Sequence, residues 1–161
     1  MNLPLHKIDK SWTLFLDRDG VINHEKQDDY IHTWDEFTFY EGATEAIKIF
    51  TKKFNKILVV TNQRGVGKGL TKLDDLHTIH ANMLEEIERS GGHLDAIYYC
   101  SELDNDNPYR KPNPGMGLKL LKNFQKLILI KRLWLAIPLA ICNLGVTSGY
   151  ILFFFQLQDR K

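Results

Sequence analysis

Apolar positions follow two rhythms along the first three quarters of this chain. Trp12–Asp17, read WTLFLD, is a short apolar run that ends on an acid, which suits a buried parallel strand. From Gly42, the residues Ala43, Ala46, Ile47, Phe50 and Phe54 recur at helical spacing. KILVVT, Lys56–Thr61, predicts a second buried strand. The turn NQRGVGKG leads from it into a helix over about Lys72–Arg89. Thr71 with Asp74 offers that helix a capping-box start, and Gly91-Gly92 offers a stop. DAIYYC, Asp95–Cys100, predicts a third strand, and Asn113-Pro114 an N-cap and first position for MGLKLLKNF. Strands alternating with helices predict an α/β fold: a Rossmann-like, three-layer parallel sheet with right-handed crossovers. Chemistry in such sheets gathers beyond the carboxyl ends of the strands, here at Asp17, Thr61 and the loop after Cys100.

After Phe124 the rhythm is lost. KLILIKRLWLAI runs into a stretch, Leu133–Leu157, without a charged residue, and no acid follows Asp106 until Asp159. The boundary therefore divides residues 1–124, a globular core, from 125–161, an aberrant apolar tail. The uncharged stretch is long enough to span a bilayer. Pro138, Asn143 and Gly149 interrupt it, however, and aromatic residues do not frame it on both sides, which argues against a membrane helix.

Charge and composition narrow the picture further. The chain has 161 residues, with 21 basic and 20 acidic side chains and a net charge of +1. One domain, with no basic footprint for nucleic acid or acidic lipid, is expected. Cys100 and Cys142 are too few for a disulfide framework or a four-ligand zinc site. The opening MNLPLHKIDKSW lacks the apolar core of a signal peptide, so a reducing, cytoplasmic setting is expected.

Three segments carry candidate chemistry. In FLDRDGVIN, Asp17 and Asp19 stand where a buried strand breaks, followed by Gly20. A carboxylate there can attack phosphorus, and a second one just past the bend can move the proton of the leaving group and of the attacking water. The bland alternative is an Asx turn closing a strand. In VVTNQRGVGKG, Thr61 and Asn62 offer a hydroxyl and an amide to phosphoryl oxygens, glycines free backbone N–H groups, and Arg64 and Lys68 add positive charge. It lacks Walker spacing. In YRKPNPG, Lys111 precedes Pro112 on a stiff segment and can neutralise developing phosphate charge, while Arg110 can take a second anionic group.

Taken in order, DRDGVIN, TNQRGVGKG and RKPNPGMG resemble the first three motifs of the haloacid-dehalogenase (HAD)-type phosphatases, over about residues 10–124. Within them they resemble the small histidinol-phosphatase and heptose-bisphosphate phosphatase group. The resemblance implies a HAD-like fold in which Asp17 is the nucleophile and a Mg2+ ligand. Asp19 is then the general acid/base and lends its backbone carbonyl to the metal. Thr61 and Lys111 would hold the transferring phosphoryl group; Asn62, Gln63, Arg64 and Arg110 would face the substrate.

Two departures from the family accompany this resemblance. Many relatives carry a zinc loop of cysteines and a histidine ahead of R-K-P, whereas YYCSELDNDNPYRKP holds Cys100 alone, so no zinc is expected. The family's fourth motif, a strand followed by G-D-x-x-x-D, completes the magnesium site and is missing. Yet Gln125–Gly145 can be written in codons that, read one base earlier, spell PEIDFDKTIMVGDSISDMQFG. A frameshift in a phosphatase gene is therefore expected, with Leu133–Ala136 still able to fill the strand place beside Asp17. The expected activity is magnesium-dependent hydrolysis of a small phosphorylated metabolite by a monomer. Heptose 1,7-bisphosphate is favoured, with histidinol phosphate as the alternative, and loss of the fourth motif is expected to impair turnover. The rivals are an inactive sugar-phosphate-binding remnant and a membrane-tethered phosphatase.

Overall fold

The computed structural model describes residues 9–10, 12–117 and 119, with the backbone of Leu133–Pro138 and Tyr150–Phe155. The remainder of the tail, including Cys142, Ile141 and Asp159, and the domain division at 124 lie outside the described residues. Five strands form one sheet: β1 (Thr13–Leu16), β2 (Lys56–Asn62), β3 (Ala96–Cys100), β4 (Leu133–Pro138) and β5 (Tyr150–Phe155). Their order across the sheet is β3-β2-β1-β4-β5. β1 is central, parallel to β2 from Thr13↔Lys56 to Leu16↔Val59 and to β4 from Thr13↔Leu133 to Leu16↔Ala136. The apolar segment Leu133–Ala136 thus occupies the place beside the Asp17 strand. β5 runs antiparallel to β4, so the sheet is mixed at one edge rather than wholly parallel. An uncharged β-branched and aromatic segment such as YILFFF suits a strand.

Alternation along the strands builds two cores. Leu14 and Leu16 of β1, with Ile57 and Val59 of β2, pack under α1 (Ala43–Lys53) and α3 (Leu73–Arg89), against Ile47, Ile79, Met83 and Ile87. Phe15, Leu58, Val60 and Cys100 point to the other face, with Met116. Burial of side chains of this size contributes about 1.5–3 kcal/mol each. Asp95 ties the starts of β2 and β3 together, its carboxylate accepting from Lys56 Nζ at 2.5 Å and from Ile57 N at 2.8 Å.

Two capping expectations are corrected. The N-cap of α3 is Lys72, with no side-chain cap bond, and Thr71 Oγ1 instead meets His32 Nδ1 at 2.8 Å. Tertiary contact has taken the hydroxyl from the helix. Helical geometry does begin at Gly115, but Asn113 is not seen capping it; its amide donates back to the Asn105 and Asn107 carbonyls. The Gly91-Gly92 stop holds: Gly91 has φ +86° and Gly92 N reaches Ile87 O at 2.9 Å. Among the described residues no helix is long and apolar enough to cross a membrane.

Candidate active site

The chain turns sharply where β1 ends. Gly20 takes φ +77°, its N–H reaches Asn23 O, and Val21, Ile22 and Asn23 all return their N–H groups to Arg18 O. A left-handed residue is needed at the bend, which glycine supplies at low cost. The turn leaves Asp17 and Asp19 at the carboxyl end of the central strand.

Asp17 is nearly enclosed. Its Oδ2 lies 2.5 Å from Lys111 Nζ and its Oδ1 accepts from Arg18 N at 2.8 Å. Burial pushes its carboxyl above the usual carboxylate value, while the Lys111 charge and hydrogen bond oppose that rise. Lys111 also donates to Val60 O at 2.8 Å, and the Lys111–Pro112 peptide is cis. The Asn62 amide, expected to face the substrate, grips the Lys111 backbone in both directions, donating to its carbonyl at 3.1 Å and accepting from its N–H at 3.0 Å.

Asp19 is clamped by donors. Arg18 reaches it through Nε at 3.0 Å and through Nη2 at 2.7 and 2.9 Å, Asn23 Nδ2 at 3.0 Å and Gln63 Nε2 at 2.8 Å. Gln63, implied by the resemblance to face the substrate, is buried and also donates to Thr61 Oγ1 at 2.9 Å, so its amide joins two site residues. Thr61 itself is buried at the end of β2. Arg18 is fully buried, and behind it His80 Nε2 lies 3.3 Å from Nη1. Burial, then the Arg18 charge, holds the His80 imidazole down at about 4. Since arginine can only donate, the neutral ring must accept through Nε2.

The glycine-rich turn folds into the short helix α2 (Arg64–Gly67). Gly67 is required there, because a Cβ would meet Ser101 O at 1.9 Å. Arg64 Nη2 donates to Leu103 O at 3.1 Å and Asn105 Oδ1 at 2.8 Å; Arg110 donates to Asn105 Oδ1 at 3.2 Å and Glu102 O at 3.1 Å. Lys68, expected to add charge for an anion, lies over the Tyr30 ring at 5.3 Å.

Segments 12–23, 56–64 and 101–111 thus converge on one end of the sheet. The polynucleotide kinase 3 phosphatase family matches residues 9–134, from ahead of β1 into β4. The chain belongs to this family of HAD-like phosphatases. It is 38% identical over 112 residues to the D-glycero-alpha-D-manno-heptose-1,7-bisphosphate 7-phosphatase of Mycobacterium bovis, covering 69% of this chain and 59% of that relative. The D-glycero-beta-D-manno-heptose-1,7-bisphosphate 7-phosphatase of Neisseria meningitidis matches with the same identity and the same coverage. Among solved structures, it is similar to the D,D-heptose 1,7-bisphosphate phosphatase from B. bronchiseptica, complexed with magnesium and phosphate. That match has a TM-score of 0.65 and 31% identity, over 71% of this chain and 64% of that one. The chain spans about three-fifths of the length of the curated relatives it matches.

In this member of the HAD-like phosphatase family, the donors of the site meet a magnesium ion's needs only in part. Asp17 and the Asp19 carbonyl are hard oxygen donors, the type Mg2+ takes, with water and phosphate filling the remaining positions. Two protein groups make a thin shell. Among the described residues no cluster of three His, Cys, Asp or Glu side chains could hold a metal ion, and Lys111 already occupies Asp17 Oδ2. Sequence reasoning passed over Arg18, Asn23, His80 and Asn105. The first two stood inside DRDGVIN and could have been found there; His80 and Asn105 carry no local signal.

Proposed function

We propose that the chain is a phosphomonoesterase for a small phosphorylated sugar, with heptose 1,7-bisphosphate the favoured substrate, working through an aspartyl-phosphate on Asp17. The observation that supports this most is the Asp17–Lys111 ion pair at the carboxyl end of β1, with Asp19 two residues on. An Asp17 carboxylate oxygen attacks phosphorus as the sugar oxygen leaves, and Asp19 gives that oxygen its proton. Asp19 then takes a proton from water as the water oxygen attacks the aspartyl-phosphate, releasing phosphate and restoring Asp17. Lys111 and the Thr61 hydroxyl hold the phosphoryl oxygens as charge builds on them. Magnesium, held by Asp17 and the Asp19 carbonyl, would supply further neutralisation of that charge when bound.

Heptose bisphosphate is favoured over histidinol phosphate on charge. The partners of Arg64 and Arg110 are neutral oxygens, a setting that suits a second phosphate and repels the ammonium group of histidinol phosphate. A cytoplasmic, monomeric enzyme fits the reading. The absence of any acid between Asp106 and Asp159 favours a second reading, a remnant that binds sugar phosphates without turning them over. Turnover of p-nitrophenyl phosphate with added magnesium separates the two. We expect measurable turnover that Asp17→Asn lowers to background, at least about a thousandfold below the parent. Normal turnover by Asp17→Asn would remove Asp17 as nucleophile. No turnover by the parent, with phosphate binding intact, would establish the remnant.

A further inference from the structure

The loop 101–110 is rich in acids, with Glu102, Asp104 and Asp106, yet the side chain that meets the two arginines is the amide of Asn105. Its single oxygen accepts from Arg64 Nη2 at 2.8 Å and from Arg110 Nε at 3.2 Å. The other acceptors of the pair are also neutral, the carbonyls of Leu103 and Glu102. Asp104 turns its carboxylate to Asp106 N instead. Arg64 Nε is buried without a partner among the described residues. Arg110 is 9% exposed, so its charge is only weakly screened by water.

Two guanidiniums on one acceptor repel each other, and the shared Asn105 oxygen, with the Leu103 and Glu102 carbonyls, holds them together. A carboxylate in that place would hold them as firmly and would also cancel one charge. An amide anchors without cancelling. Arg110 directly precedes Lys111 and Arg64 lies three residues after Thr61, so both arginines belong to the segments proposed to take the transferred phosphoryl group.

We propose that Asn105 is a specificity-determining residue: as a neutral acceptor shared by Arg64 and Arg110, it sets side by side two guanidiniums that have no carboxylate partner among the described residues, and so selects sugar phosphates that carry a second phosphate. The selection rests on the phosphatase reading above, since that reading places the first phosphate at Lys111. Planar guanidiniums with free N–H groups match phosphate geometry, and fixing them beforehand removes the ordering cost from binding.

The test is titration calorimetry of the full chain, in chelator-treated buffer, with a heptose 1,7-bisphosphate and with the matching heptose 7-phosphate. The parent should bind the bisphosphate at least about tenfold more tightly than the monophosphate. Asn105→Asp should reduce that preference to within about twofold while leaving monophosphate affinity within about twofold of the parent's. Asn105 is exposed, so the exchange leaves the cores untouched, and the monophosphate titration reports whether the site is still folded. A parent that binds both ligands equally overturns the selection by Asn105 and leaves the phosphate site standing. An Asn105→Asp variant that keeps the bisphosphate preference, or loses affinity for both ligands alike, also overturns it. A parent that binds neither ligand overturns the phosphatase reading together with this one.

Discussion

At the scale of single residues, the site is a set of side chains that hold other side chains. Asn62 spends both ends of its amide on the Lys111 backbone, and Gln63 spends its N–H groups on Asp19 and Thr61. The family resemblance implies that both face the substrate; the bonds they make to Lys111, Asp19 and Thr61 depend on where the partner loop returns. Removing the grip of Asn62 should cost catalysis more than binding. Asn62→Ala loses two hydrogen bonds, each contributing about 0.5–1.5 kcal/mol, so kcat should fall about tenfold with KM nearly unchanged. Steady-state kinetics on p-nitrophenyl phosphate checks this. Unchanged kcat would mean that Lys111 is held well enough by Val60.

At the scale of elements, α3 does more than cover the sheet. Its buried face carries Leu76, Ile79, Met83 and Ile87 at helical spacing, and His80 within the same face reaches Arg18 behind Asp19. The helix was legible as a span over about Lys72–Arg89 stopped by Gly91-Gly92, whereas the contact of its histidine needed the sheet beneath it. The imidazole titrates at about 4 in the folded chain, against 6.5 for a free histidine. Between those values the unfolded chain binds the extra proton, so this group lowers stability as pH falls from about 6.5 to 4. The difference amounts to at most about 3 kcal/mol. His80→Gln keeps an acceptor for Arg18 and cannot titrate. Its melting temperature should therefore fall less steeply than the parent's over that range. Parallel curves for the two proteins would show that His80 contributes nothing to acid sensitivity.

At the scale of the whole molecule, the sheet is continuous through β4 but the site is thin in carboxylates. The family match runs to residue 134, just inside that strand, and beyond Asp106 the chain offers no acid before Asp159. One carboxylate and one carbonyl, with Lys111 competing for the same oxygen, should bind magnesium weakly. We therefore expect millimolar or weaker affinity by calorimetry, on the order of 4 kcal/mol or less. Inserting one base within the Phe124 codon should bring G-D-x-x-x-D into the chain, tighten magnesium by at least about tenfold and raise turnover by orders of magnitude. Equal affinity and rate in the two proteins would count against the frameshift.

The sequence by itself determined the elements of the parallel core and named the residues of the candidate site. Apolar runs of strand length, helical spacing between them and three short motifs all depend on neighbours close along the chain, and the acids at the end of β1 needed nothing distant to be recognised. What only the tertiary structure decided is how those residues are held. Thr71 leaves its helix for His32, and Asn113 leaves its own for the Asn105 loop. Asn62 and Gln63 turn to Lys111 and Asp19, and one amide oxygen gathers Arg64 and Arg110. Each of these is a polar group with a limited number of bonds and several possible partners. Local sequence names the donors and acceptors, but burial decides which of them meet, since an unmatched group costs more inside the fold than at its surface.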